Sequence, residues 1–281
     1  MIDSSMFYMN FEITSEAQRQ CVNEIKNLNW DDINPIYVLR KPIIDKKTDY
    51  EYDEAFAILV SKHKIVFVNF GNNEEAFKDF QEDFIDDIGY IAKKYDFINL
   101  LGRPRNWKEE FVSRIDYQSE NFSLKSILKE NELSDSEKIR KGDILISLTT
   151  GSINEATRLG LGVPENVLDQ IKRKIILFDG EQTKFIFDEP KKKRIIIQGL
   201  AGTGKTELLL HKIKELYINN EDCKIVFTCH NAILADNLRK RVPEFFNFLK
   251  VEEQIQWEQR LWVMRSWGSF SDQNSGLYSY L

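Results

Sequence analysis

The sequence predicts an α/β protein: a P-loop unit on a parallel sheet, incomplete within this chain, preceded by a smaller α+β domain. Three observations carry this. From residue 191 onward, β-branched apolar runs alternate with amphipathic helical stretches. Gly199–Thr206 reads GLAGTGKT and matches G-x-x-x-x-G-K-[ST] at every fixed position. Upstream, two short apolar runs flank a tight turn, with helical stripes on either side.

Composition bounds the alternatives. A chain of 281 residues suggests about two domains. With 42% hydrophobic and 30% charged residues, the balance is globular and excludes a disordered tail protein. No apolar run approaches the ~18 residues of a membrane span, so no membrane association is expected. The start, MIDSSMFYMNFE, lacks a basic and apolar leader. Cys21, Cys223 and Cys229 are odd in number and not in metal-ligand spacing, which fits a reducing cytoplasm. Charge is divided. Residues 191–250 hold 12 Lys/Arg against 6 Asp/Glu, residues 251–281 hold 2 against 4, and with −6 overall the first 190 residues carry a net −10. An anionic ligand therefore suits the second part only.

Taken in order, residues 14–28 read as a helix capped by Thr14, with Ala17, Cys21, Ile25 and Leu28 on one face. Residues 36–40 read as a strand. Residues 54–60 and 64–70 read as a hairpin around Ser61-Lys62-His63. Phe77, Phe80, Phe84, Ile88 and Ile91 lie at helical spacing in 74–100, as a core-facing stripe does. Residues 122–131 and 134–140 look helical, 143–150 is a strand or a buried helix, and Pro164 precedes a helical stretch at 165–174. The boundary falls near 150–175. This gives an acidic α+β domain of unassigned role (1–150), a helical connection (151–174) and a partial P-loop unit (175–281). Within the last, 191–198 and 223–229 read as strands, 205–218 and 233–242 as helices, and 260–264 as a third strand.

The loop has a chemical logic. Gly199, Gly202 and Gly204, with Ala201 and Thr203 between them, make a nucleotide-binding loop in which the glycines let backbone N–H groups converge on phosphate oxygens without Cβ clashes. The helix starting near Lys205 adds partial positive charge. Lys205 reaches the β- and γ-phosphates, and the Thr206 hydroxyl is placed to ligate Mg²⁺, so the expected cofactors are ATP and Mg²⁺.

Flanking segments resemble superfamily 1 helicases of the UvrD/Rep-like group. FDGEQTKFIF looks like their Q motif, which makes Gln182 the candidate for the adenine edge. IQGLAGTGKTELLLHKI is similar to motif I, and KIVFTCHNAILADNLRKR to motif Ia, which in that family touches single-stranded DNA. The resemblance assigns that contact to Thr228, His230 and Asn231. LWVMRSWGSF looks like the next DNA-contact motif, with Arg265, Ser266 and Trp267 as counterparts, though its usual Thr and His are absent. These segments lie in residues 175–281. The resemblance implies a RecA-like sheet and single-stranded DNA as partner.

Two features of the family are not found. No apolar run ending in Asp-Glu follows Trp267, and no second RecA-like domain is present. Asp188-Glu189 imitates the acid pair but precedes the loop and runs into Pro190. The chain is therefore expected to be the front part of a longer helicase or a short relative, and not to unwind DNA by itself. In the first part, Asp53 and Glu54 before AFAILV, with KIVFVNFG following, resemble the hairpin of PD-(D/E)xK nucleases. Asn69-Phe70-Gly71 stands where Glu-x-Lys belongs, so a metal ligand and the catalytic lysine are missing. Nuclease–helicase fusions occur in bacterial anti-phage defence. The alternatives are a fusion fragment of that kind, a nucleotide-binding interaction module whose residues 1–150 meet a protein partner, and a kinase-type phosphotransferase, against which the Q motif argues.

Overall fold

The computed structural model describes residues 4–28, 34–44, 50–118, 122–153, 177–190, 194–271 and 275–281. The fold is α/β, and the chain divides into two units, Met1–Lys184 and Phe185–Leu281.

In the first unit a five-stranded sheet runs in the order β1 (Phe7–Met9), β2 (Ile36–Leu39), β3 (Ala55–Val60), β4 (Ile65–Asn69), β5 (Val112–Asp116). β1 and β2 are parallel, β3 is antiparallel to both its neighbours, and β5 is parallel to β4. Every residue of β2, β3 and β4 is buried. Burial at every position requires cover on both faces, which explains why AFAILV and IVFVN are apolar runs and not alternating ones. One face carries Val66, Val68, Phe56 and Ile58 against Cys21, Val22 and Ile25 of α1 (Glu16–Asn27) and Leu124 and Leu128 of α5 (Leu124–Glu130). The other presents Phe67 edge-on to Phe80 and Phe84 of α2 (Glu74–Lys94) at 6.0 and 5.2 Å between ring centroids. All five residues of the expected α2 stripe are buried.

Local chemistry sets the helix limits. α1 is capped by Ser15, whose Oγ accepts from Gln18 N at 3.2 Å, and not by Thr14, which donates to Gln18 Oε1 instead. α3 (Ile98–Leu101) and α4 (Pro104–Glu110) follow α2. Pro104 opens α4, where its fixed φ and missing N–H cost nothing. Residues 143–150 are helical: they continue α6 (Ser136–Thr150), and all but Asp143 are buried. Residues 177–184 belong to the first unit because they pack on its sheet, Tyr37 OH donating to Phe178 O and Phe178 N donating to Ser152 Oγ at 3.1 Å. The division therefore falls C-terminal to 150–175, and the α+β unit is the longer of the two. The expected helix 165–174 lies outside the described residues.

The second unit contains α8 (Lys205–Asn219), β6 (Ile225–Cys229), α9 (Ala232–Phe248), β7 (Leu261–Arg265) and the short α10 (Leu277–Tyr280). β6 and β7 are parallel, in register Ile225↔Leu261 to Cys229↔Arg265. α7 (Gly180–Phe187) crosses the division. One expectation is corrected. Of 191–198, the described residues 194–198 form no strand, and Ile195 and Ile196 are exposed. A strand needs a paired edge, and the described strands of this unit, β6 and β7, pair with each other and not with this segment. The β-branched composition favours a strand, but propensity does not supply the pairing.

α8 and α9 pack through Tyr217–Phe246 and through His211, set edge-on to Phe245 at 4.9 Å. Burial, helped by the charge of Lys214, pushes the His211 imidazole down to about 3. The ring is thus neutral when folded, while in the unfolded chain it takes a proton near pH 6.5. A depressed native pKa gives stability that is complete above the unfolded value and declines as pH falls below it towards 3. The second unit is expected to lose about 2 kcal/mol between pH 6.5 and 5 from this group. Urea unfolding of His211→Gln, compared with the parent at both pH values, should show a flatter dependence.

Candidate nucleotide and nucleic-acid site

The loop before α8 has the form its sequence requires. Gly202 and Gly204 adopt φ of +79° and +82°, a region that a side chain makes costly. Gly204 is also the N-cap of α8, and its carbonyl accepts the first helical hydrogen bond, from Leu208 N at 3.0 Å. Thr203 Oγ1 donates to Leu200 O at 2.9 Å and tightens the turn. A side chain at Gly199 would approach Thr203 Oγ1. Lys205 folds back over the loop, its Nζ donating to Gly199 O at 2.8 Å and Leu200 O at 2.6 Å. Thr206 lies in the first turn of α8 with its side chain exposed. Residues 199–204 are all exposed. A loop curled by two left-handed glycines, a cation across its mouth and a hydroxyl in the first helical turn fit a triphosphate with Mg²⁺. Thr206 would hold the metal and Lys205 the phosphates.

Gln182 sits in the first turn of α7, where it closes a reciprocal cap with Asp179. Asp179 Oδ1 accepts from Gln182 N at 2.8 Å, and Gln182 Oε1 accepts from Asp179 N at 3.1 Å. Asp179 was not singled out in the sequence, although D-x-x-Q is the signature of such a cap. Asp188 and Glu189 follow the end of α7 and are exposed. Lys212 of α8 donates to Ile186 O and Asp188 O, both at 3.0 Å, so its ammonium caps the carboxyl end of α7.

The parallel register brings the remaining candidates to one edge. Thr228 lies beside Met264 and Cys229 beside Arg265. Ser266 ties the two strand ends together, its N and Oγ both donating to Cys229 O, at 2.6 and 3.0 Å. Asn231 caps α9, Oδ1 accepting from Leu234 N at 2.7 Å, and its Nδ2 lies 3.1 Å from His230 Nε2. Arg265 turns its Nε to Ser275 O at 2.9 Å. Thr228 is half-buried, while His230, Asn231 and Trp267 are exposed. Thr228, His230, Asn231, Ser266 and Trp267 thus share the carboxyl end of a parallel pair, where folds of this class bind ligands. Asn231→Ala should lower stability by about 1 kcal/mol through loss of the cap, read as a small fall in the melting temperature of the second unit.

In the first unit the hairpin expected from the sequence is present, with Ala55 opposite Asn69. Its end does not suit a metal. Asn69 is buried, accepts from Tyr52 OH at 2.6 Å and donates to Asp116 Oδ1 at 3.0 Å. Among the described residues no group of three or more His, Cys, Asp or Glu could hold a metal ion. Glu82, Asp83 and Asp86 stand on α2, with Glu82 paired to Lys108 at 2.8 Å. Among the described residues no helix is long and apolar enough to cross a membrane.

No match is found among curated proteins. Residues 162–264, which include the loop, α8, β6, α9 and most of β7, match the family described as type III restriction enzyme, res subunit, and are in that span similar to a helicase-like P-loop domain.

Proposed function

We propose that the second unit binds ATP with Mg²⁺ at Gly199–Thr206 and engages single-stranded DNA along the β6–β7 edge, as the ATP-binding portion of a superfamily 1-like helicase. The loop geometry is the observation that carries this reading. Two left-handed glycines and Lys205 across the loop carbonyls form a phosphate cradle, and the cradle lies inside the helicase-like match. Gln182 is the proposed adenine contact, its amide N–H₂ donating while Asp179 holds the carbonyl oxygen. Thr228, His230 and Trp267 face the nucleic acid, while Asn231, Ser266 and Arg265 shape the edge that presents them.

A second reading has one observation in its favour. Arg265, Ser266 and Asn231 each spend polar groups inside the fold, as in a nucleotide-binding interaction module that meets a protein through residues 1–150. Fluorescence anisotropy with labelled oligo-dT separates the two. A measurable affinity that falls steeply with salt supports the helicase reading. Nucleotide binding with no affinity for the oligonucleotide at low salt removes it in favour of the module.

A further inference from the structure

The first turn of α8 carries an acid that works against a phosphate ligand. Glu207 follows Thr206 directly, at the positive end of the helix on which a triphosphate would also draw. The charged residues of 199–207 are Lys205 and Glu207, so the loop and first turn sum to zero. A neutral cradle is a poor match for a polyanion. The missing charge comes from α9. Arg241 Nη2 donates to Glu207 Oε2 at 2.6 Å. Helix packing builds this pair. Arg241 and Phe245 stand one turn apart on α9, and they meet Glu207 and His211, one turn apart on α8. His211 and Phe245 are buried, so the lower rung fixes the position of the upper one. The side chains of Glu207 and Arg241 are 29% and 50% exposed. A pair this open to water adds little to stability. Its consequence is for the charge at the loop, which Arg241 raises from zero to +1.

We propose that Arg241 is a positioning residue for nucleotide binding, an inference that rests on the reading of Gly199–Thr206 as a nucleotide loop. It neutralises Glu207 and holds the carboxylate on α9. Lys205 and the helix N-terminus then keep their positive field for a nucleoside triphosphate with Mg²⁺. A Glu207 released from Arg241 would set its charge against the phosphates. Arg241 acts through Glu207 and not on the ligand, so its value depends on the acid being there. That dependence separates it from a direct phosphate contact, which would matter with or without Glu207.

The test titrates the full chain with MgATP by calorimetry in four forms: parent, Arg241→Ala, Glu207→Gln and the double variant. Arg241→Ala should weaken binding roughly 3- to 10-fold at low salt and less at high salt, as one unbalanced charge near a surface does. Glu207→Gln should bind at least as tightly as the parent. Adding Arg241→Ala to Glu207→Gln should cost nothing. Arg241→Lys, which keeps the charge, should restore most of the affinity. Melting temperatures should stay close to the parent's throughout. An equal loss from Arg241→Ala with Glu207 or Gln at position 207 makes Arg241 a direct ligand or a purely structural group, and overturns the proposal. Unchanged affinity in Arg241→Ala also overturns it. Both results leave the nucleotide loop standing. A parent chain that binds no MgATP overturns the reading and the proposal together.

Discussion

Phe84→Ala is expected to destabilise the first unit by about 3–5 kcal/mol, the cost of removing a fully buried aromatic side chain. Phe84 is 0% exposed and lies edge-on to Phe67 at 5.2 Å, with Phe80 at 6.3 Å and Tyr50 at 6.5 Å. The cavity would open between α2 and the centre of the sheet, because β4 is an inner strand. Against a typical domain stability of about 5–15 kcal/mol, this is a large share. Urea unfolding by circular dichroism should show the unfolding of the first unit shifted strongly to lower denaturant. MgATP affinity of the folded fraction should hold, since Phe84 belongs to the first unit and the loop to the second.

Lys205→Ala is expected to weaken MgATP binding on the order of 100-fold. The ammonium would make two charge-assisted contacts to phosphate oxygens, together about 3 kcal/mol. Without ATP its contacts are the carbonyls of Gly199 and Leu200 at an exposed position, so the change should barely move the melting temperature. Titration calorimetry reads the affinity and differential scanning fluorimetry the stability. Equal MgATP affinity in parent and variant would remove the loop from the account.

Much of the fold was legible because its signals are local. The α2 stripe, the hairpin and the helix–strand–helix–strand order of 205–265 depend on periodicity and turn chemistry within one element or two. The short outer strands were not. β1 has three residues, and β5 reads VSRID, with a charged residue at the centre and no apolar face. Both exist because a neighbour offers a free edge, which no window of sequence records. The same dependence works in reverse at Ile195–Gln198, where a strand-like composition meets no partner.

At the loop, the positions of Gly202 and Gly204 were legible because a positive φ constrains residue type. The roles of Gln182, Asn231, Ser266 and Arg265 were less so. Each has a polar group whose partner is fixed by the fold: Asp179 N for Gln182, Leu234 N for Asn231, Cys229 O for Ser266 and Ser275 O for Arg265. The parallel register places Asn231, Ser266 and Arg265 at one edge, but motif order does not say whether their hydrogen bonds, or those of Gln182, face inward or towards a ligand.

Coupling between the two ligands tests the central claim most directly. Oligo-dT affinity of the full chain should be measured at fixed salt with and without saturating MgATP, and MgATP affinity with and without saturating oligo-dT. A nucleotide-driven, helicase-type unit predicts that each ligand changes the other's affinity by the same factor, about 5-fold or more, and that Lys205→Ala abolishes the effect. Independent binding, or no oligonucleotide binding in either state, would contradict it.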